Sequence, residues 1–548
     1  MNSLLNNLQI FVKNNLKNNS KIYIFFKVLL SILFSSTIVL DKLLVFNENI
    51  FGDFTQIYFQ KITLIDIITF IAITITTYIV ISIVEFIVDR INNKVYAKKN
   101  KVNIYFFFII FLIILICWLP YILTFFPGGI YSDTRESISQ ALGYSKLKNH
   151  HPILYTLLLR IFIIIGLKIS SLQLGIELFT IFQVFAMAAT CAYFVYWLYK
   201  NNVSKKYITI VTLFFSLFRL IPLYAISIWK DTPFCIALFL YIIYIAEIIN
   251  KDAKNLEKLG GIIKYIILIF FVAFLRNNGL YIVIFTTLII AITYRKRLLK
   301  GLKEFIIITI TQIILCGIIQ GPVYNYKKIN TGFAENLGIL LQQVCYVVVE
   351  EGNITDEQLQ FINNICDTKI IKQIYNPCIV DTVKFNKNFN HTYLAEHKSE
   401  FIKVWFEIFI QNPKSYIKAY LLNTVGFWDI NKATFDAYIN PKMWQNARQL
   451  GPIVQKDYIQ IHFVLSLEDV LIPNRAISSA IFLFIMLLGM LITIYQKKYK
   501  NLLIYMPAFI TYITIMIAVP LAFSLRYVYI LVLMLPLSLI IPFLKQEK

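Results

Sequence analysis

The chain is poor in charge. Asp, Glu, Lys and Arg make up 15% of its 548 residues, against about 25% in soluble globular domains. That argues against a water-soluble protein. Acidic residues are the scarcer half: 30 Asp and Glu face 52 Lys and Arg, a formal net charge of +22. Cysteine is sparse too. Cys117, Cys191, Cys235 and Cys316 lie in apolar runs, where a thiol packs as a small hydrophobe. Cys345, Cys366 and Cys378 form no C-x-x-C motif. Neither a disulfide framework nor a zinc site is indicated, and a Cys366–Cys378 bridge stays open. There is no P-loop, no G-x-G-x-x-G and no H-E-x-x-H, so the usual nucleotide and zinc-hydrolase fingerprints are missing. No internal repeat or low-complexity linker interrupts the chain.

What the sequence does have is apolar length. Hydrophobic residues make up 58% of it and the mean hydropathy is +0.68. Most of this falls in runs near the roughly 17–25 residues that a helix needs to cross a bilayer. The candidate spans are 22–40, 63–88, 102–125, 174–199, 207–226, 233–249, 262–276, 279–294, 305–320, 476–495, 502–519 and 527–544. The expected fold is an all-α polytopic membrane protein with about twelve transmembrane helices, the range being eleven to thirteen. The first run, Tyr23 to Leu40, follows Lys13, Lys17 and Lys21. It is too long for a signal-peptide core and lacks a cleavage site, so it reads as an uncleaved first helix.

One further stretch, 152–168, is ambiguous because Arg160 sits at its middle. An Arg at the centre of a span costs about 2.5–3.5 kcal/mol on insertion scales. The positive-inside rule decides the matter. If 152–168 does not cross, clusters such as Lys98-Lys99-Asn100-Lys101 and Arg295-Lys296-Arg297 all fall in the cytoplasm. If it does cross, every later cluster moves outside. The stretch is therefore expected to lie on the outer surface, with Arg160 snorkelling to headgroups. Both termini are then cytoplasmic, in the cell (plasma) membrane. The +22 excess becomes an orientation signal whose partner is anionic headgroups, not nucleic acid.

This topology leaves one long outer loop, 126–173, with interfacial helices. The turns Trp229-Lys230-Asp231 and Arg276-Asn277-Asn278-Gly279 also face outward. Residues 1–320 form an N-terminal bundle, 321–475 a mostly helical extracytoplasmic domain, and 476–548 the closing helices. Helices are expected in the outer domain at 337–350, 355–366, 396–411 and 413–424. Thr355 and Gln358 read as a capping box there, and Pro413 as a helix start.

Chemistry concentrates at the outer helix ends. In the first loop, Pro127-Gly128-Gly129 stops a helix, and Ser132 or Asp133 can cap the next. Asp133 and Glu136, three apart, can share a helix face. His150 and His151 precede Pro152, the expected first position of another helix. Carboxylate and imidazole can thus converge outside, or serve only as a cap and interfacial anchors. Lys230-Asp231 offers a second acid and an anion-facing ammonium, or a plain helix-end salt bridge. Arg276, beside Asn277, must pair with something; a carboxylate and a phosphate are both open. Arg526 is the one basic residue between the two final spans.

The P-G-x-x-x-x-D of the first loop, followed by H-H-P, resembles the C-type (GT-C) superfamily of integral-membrane glycosyltransferases. W-K-D-x-P, L-R-N-N-G, L-R-Y, L-L-Q-Q-V at 340–344 and N-P-K-S-Y-I-K-A at 412–419 resemble an uncharacterised bacterial multi-pass branch grouped with it. The resemblance covers roughly residues 100–545. It implies transfer of a sugar from a polyprenyl-phosphate-linked donor to an extracytoplasmic acceptor: a glycan, lipid or protein. It implies Asp133 as general base or metal ligand, with Asp231, His150 and His151 as further catalytic candidates. Lys230, Arg276, Asn277, Arg526 and Glu136 would bind substrate. A divalent metal (Mg or Mn) between Asp133 and Asp231 is implied for some members, although the first loop has no D-x-D. A polymerase or ligase of lipid-linked polysaccharide, and a lipid-glycan flippase or transporter, are the alternatives.

Overall fold

A computed structural model of the chain describes residues 20–46, 57–91, 95–96, 103–298, 303–329, 333–432, 477–518 and 521–545. Lys13, Lys17, the basic cluster at 98–101 and residues 433–475 of the outer segment lie outside the described residues.

The chain is a multi-pass α-helical membrane protein. Among the described residues seven helices are long and apolar enough to span: Lys21–Leu43 (α1), Leu64–Ile91 (α2), Tyr105–Leu123 (α3), Leu172–Lys200, Asp231–Asn250, Phe305–Tyr326 and Leu525–Phe543. An eighth is assembled from Lys205–Leu217 and Leu220–Ile226, which meet at a 50° bend. Four shorter apolar helices, Leu259–Leu275, Gly279–Thr293, Ser479–Tyr495 and Met506–Ala518, fall on the remaining expected spans.

Between α3 and the next long helix come Ser132–Leu142 (α4) and Ile153–Ile169 (α5). The later elements are numbered onward: Leu172–Lys200 is α6, Lys205–Leu217 α7, Leu220–Ile226 α8, Asp231–Asn250 α9, Leu259–Leu275 α10 and Gly279–Thr293 α11. Burial ranks them. The apolar windows of α9 and Leu525–Phe543 are 78% and 83% buried, whereas that of α2 is 11% buried. The first two therefore form the centre of the bundle. α2 turns Ile68, Ile75 and Ile79 outward, as a lipid-facing helix that is apolar all round must.

Tyr155, in the first turn of α5, donates to the Ile228 carbonyl at 3.1 Å. Thr180 and Gln183 of α6 bond the backbone of Pro127 and of Ala225 and Ser227. These contacts fix one level. α6 begins eight residues before Thr180, about 12 Å at 1.5 Å per residue, and α5 packs on that overhang. Gly166 and Gly175 make the closest approach: a Cβ on Gly166 would sit 2.1 Å from the Gly175 nitrogen. Arg160 is exposed beside Ile161.

The outer segment carries Gly338–Val349, Asp356–Ile365, Lys398–Gln411 and Pro413–Asn423, close to the expected positions. Thr355 and Gln358 make both bonds of the capping box. Val347, Phe361, Leu394 and Ile408 join a hydrophobic core of this segment's own. A short two-stranded antiparallel ribbon, Leu44–Phe46 with Ile57–Phe59, is an addition to the all-α architecture. Its three-residue strands are too short to leave a periodic signal. Pro152 precedes α5 by one residue rather than starting it. Cys366 and Cys378 are both free thiols.

A buried ion pair ties α1 to α2: Lys27 Nζ lies 2.7 Å from Glu85 Oε1, with both side chains almost wholly enclosed. Lys27 also donates to Ser82 Oγ at 2.8 Å, and the Tyr23 hydroxyl donates to Glu85. Removing one partner leaves a charge without compensation in an apolar setting. Glu85→Ala should cost about 3–5 kcal/mol, while Lys27→Met with Glu85→Leu recovers most of the loss. Unfolding by denaturant in micelles measures both.

Candidate functional site at the outer helix ends

The site starts with a backbone junction. Gly129 N–H donates to the Ile226 carbonyl and Ile228 N–H to the Gly129 carbonyl, each at 3.0 Å. The two outer turns are thereby stitched together. Gly128 is required there: its φ is +128°, and a Cβ would fall 2.4 Å from Thr180 Oγ1. Thr134 Oγ1 then donates to the Ile228 carbonyl at 2.6 Å, fixing the first turn of α4 against Trp229-Lys230-Asp231.

α4 is preceded by Tyr131, with no side-chain cap bond. Asp133 therefore sits in the first turn and is not a cap. Its carboxylate is left for Arg526, whose Nη1 donates to Oδ2 at 2.9 Å, and for the Lys230 ammonium at 3.8 Å. Lys230 in turn donates to the His150 carbonyl at 3.0 Å. The second acid pairs separately: Asp231 Oδ1 is 3.0 Å from Arg276 Nη1, and Asp231 is fully buried. Neither Asp231 oxygen has a hydrogen bond of good geometry, so the Arg276 contact is chiefly Coulombic.

Arg276 Nη1 also donates to the Tyr527 carbonyl at 3.2 Å. Tyr527 links the two pairs. Its ring lies 5.2 Å from the Arg276 guanidinium and 5.1 Å from that of Arg526, and its hydroxyl accepts from Arg526 Nη2. Trp229 gives Arg526 a second aromatic face at 5.6 Å, and its own ring lies tilted at 31° against Tyr131 with centroids 4.0 Å apart. The structure thus brings Asp133, Lys230, Asp231, Arg276 and Arg526 into one cluster.

The histidines sit at its edge. His150 Nδ1 is 3.6 Å from Glu335 Oε2, which also holds Lys384 at 2.7 Å. The outer segment therefore docks onto the first loop here. His151 is buried and its Nδ1 has no hydrogen-bond partner. Asn277 donates to the Asn149 carbonyl at 2.7 Å. Glu136 does not join the cluster, contrary to the shared-face expectation. Its Oε1 accepts from Gln140 and Ser145, closing the far end of α4.

Electrostatics follow from this packing. Burial alone would raise the Asp133 carboxyl, but Lys230 and Arg526 outweigh it and hold the group well below the usual carboxylate range. Burial lowers Lys230 against the opposing pull of Asp133 and Asp231. Burial and Lys230 lower His150, and push His151 down to about 3. Both carboxylates face cations: Asp133 meets Lys230 and Arg526, and Asp231 meets Arg276. Among the described residues no group of three or more His, Cys, Asp or Glu is assembled as a metal site.

Sequence reasoning missed Trp229, Tyr527, Glu335 and Lys384 as members of the site. Tyr527 stands beside Arg526 in S-L-R-Y, a signal available in retrospect. Glu335 and Lys384 carry none, since their partner lies in a distant loop.

The fold and cluster define a multi-pass helical membrane protein with a paired-charge site at one end of its bundle. Residues 142–548 match the profile of the family described as "Family of unknown function (DUF6020)", and the chain belongs to that family. The match includes Lys230, Asp231, Arg276 and Arg526, and begins just after Asp133. No curated protein and no solved structure matches the chain.

A neutral buried imidazole gives a signed prediction. With a folded pKa below the unfolded value of about 6.5, His151 contributes fully above that value. Its contribution is lost as pH falls toward the folded value. The melting temperature should drop between pH 7 and 5, and His151→Leu should flatten that slope. Thermal unfolding across this range tests it.

Proposed function

We propose that this protein is a membrane glycosyltransferase of the C-type superfamily. It would move a sugar from a polyprenyl-phosphate-linked donor to an extracytoplasmic acceptor. The observation that carries the reading is the Asp133 carboxylate, at the start of the polar helix α4, held between Lys230 and Arg526 at the ends of apolar helices. Nucleotide sugars stay in the cytoplasm, so a transferase facing outward needs a lipid-linked donor.

In this reading the acceptor hydroxyl oxygen bonds to the anomeric carbon as the bond from that carbon to the phosphate oxygen breaks. Asp133 takes the hydroxyl proton. The phosphate leaves on its lipid, and Arg526 and Lys230 stabilise the charge it develops. A carboxylate clamped by two cations is a weak base. An arriving phosphate competes for those cations, so substrate itself raises the basicity of Asp133. Asp231, enclosed behind Arg276, acts as a positioning residue, and His150 and His151 line the approach. Nothing in this sequence of steps is routed through a metal.

We also infer that the bent pair α7–α8 and the four shorter apolar helices cross the bilayer. With the seven long spans these make twelve, with both termini on the basic, cytoplasmic side. α5 then stays at the outer surface, as its packing on the α6 overhang and the exposed Arg160 suggest.

Asp133→Asn keeps the shape and removes the base. Transfer from a polyprenyl-phosphate sugar should fall by about 10²–10⁴-fold while membrane abundance is unchanged. Full activity in that variant sinks the assignment. Radiolabel transfer in membrane vesicles, normalised to protein by immunoblot, is the measurement.

A further inference from the structure

At the opposite end of the bundle lies a second feature that the transfer reading does not use. A cavity of about 430 Å³ opens between α2, α7, Ser479–Tyr495 and the end of Leu525–Phe543, within the size range of ligand pockets. Phe543 lies sixteen residues beyond Tyr527, roughly 24 Å along a helix. The walls are apolar, with Val88, Ile91, Ile485, Ile492 and Phe543 among them.

Ser204, Tyr207 and Ser538 are the few polar lining residues. Ser204 Oγ accepts from Tyr207 N–H, and the Tyr207 hydroxyl donates to the Pro536 carbonyl. A cavity so lined does not hold water. It opens sideways, where the lining residues Ile87 and Leu539 are 49% and 50% exposed, on the surface that faces lipid.

Its rim is cationic. Lys498 Nζ donates to the carbonyl of Pro542, a lining residue, at 2.8 Å. Lys545 Nζ stands 4.3 Å from the ring of Tyr96, next to the lining residue Val95. The Tyr96 hydroxyl accepts from Lys545 N–H and donates to the Phe543 carbonyl. Burial and the neighbouring Lys545 push Lys498 down to about 8. The adjacent Lys500, by contrast, has Asp252 at 2.7 Å. Among the described residues neither Lys498 nor Lys545 has a carboxylate partner within ion-pair distance. A dry slot open to lipid beside two like charges calls for an apolar chain joined to an anion.

We propose that this cavity holds one acyl chain of an anionic phospholipid whose phosphate rests on Lys498 and Lys545. The test uses the full chain in micelles doped with dioleoyl phosphatidylglycerol or dioleoyl phosphatidylcholine, which share their acyl chains and differ in headgroup, one anionic and the other zwitterionic. Native mass spectrometry should find one phosphatidylglycerol retained in preference to phosphatidylcholine, with a higher melting temperature. Lys498→Gln with Lys545→Gln should abolish that preference, and the corresponding double Arg variant should keep it. Ile87→Trp, which fills the mouth from its exposed side, should lose retained lipid of either headgroup.

Equal retention of the two lipids by the wild type overturns the proposal. So does an undiminished preference in the double Gln variant, or the same stabilisation by inorganic phosphate alone. Should the double Gln variant fail to fold, wild-type lipid retention in Ile87→Trp overturns it instead.

Discussion

The ion pair between Asp231 and Arg276 is the constraint on which the outer end of the bundle depends. A guanidinium and a carboxylate enclosed among apolar helices cannot stay apart, because each alone would leave a charge without solvent or partner. Their contact at 3.0 Å joins the start of α9 to the end of α10. Through the Tyr527 carbonyl the same guanidinium grips the last span. Lys230 and Arg526 are chain neighbours of residues in this knot, so their positions follow from it. Asp133 then meets two cations at once because its own helix is tied to the same turn by Thr134 and Tyr155.

Much of this was legible because charge is rare in the sequence. An isolated cation at the end of an apolar run has few partners to choose from, so Asp133, Lys230, Asp231, Arg276 and Arg526 could be singled out from spacing alone. The long spans were legible for the same reason, as uninterrupted apolar length.

Most of what stayed hidden depends on tertiary structure. Residues 207–226 read as one continuous span, yet the helix breaks by 50° after Leu217. The break falls at Phe218, four residues before Pro222, which has no N–H to offer the Phe218 carbonyl, and beside the buried Arg219; here a local signal was present and the apolar run masked it. Glu136 sits one turn from Asp133 but serves its own helix end through Ser145, a local bond that spacing cannot rank against a distant one. Tyr527 reaches Arg276 partly through its backbone carbonyl, which every residue possesses, and its ring and hydroxyl join both guanidiniums only once the last span has packed. The Glu335 contact with His150 unites segments that share no pattern.

The bond between Asp133 and Arg526 closes a loop of 393 residues. During synthesis at about 5–20 residues per second, the acid emerges roughly 20–80 s before the guanidinium that will hold it. For most of that interval Lys230 is the only one of its two cations already made. A nascent chain halted before Leu525–Phe543 would display every earlier helix and still lack the Arg526 guanidinium that closes the cluster.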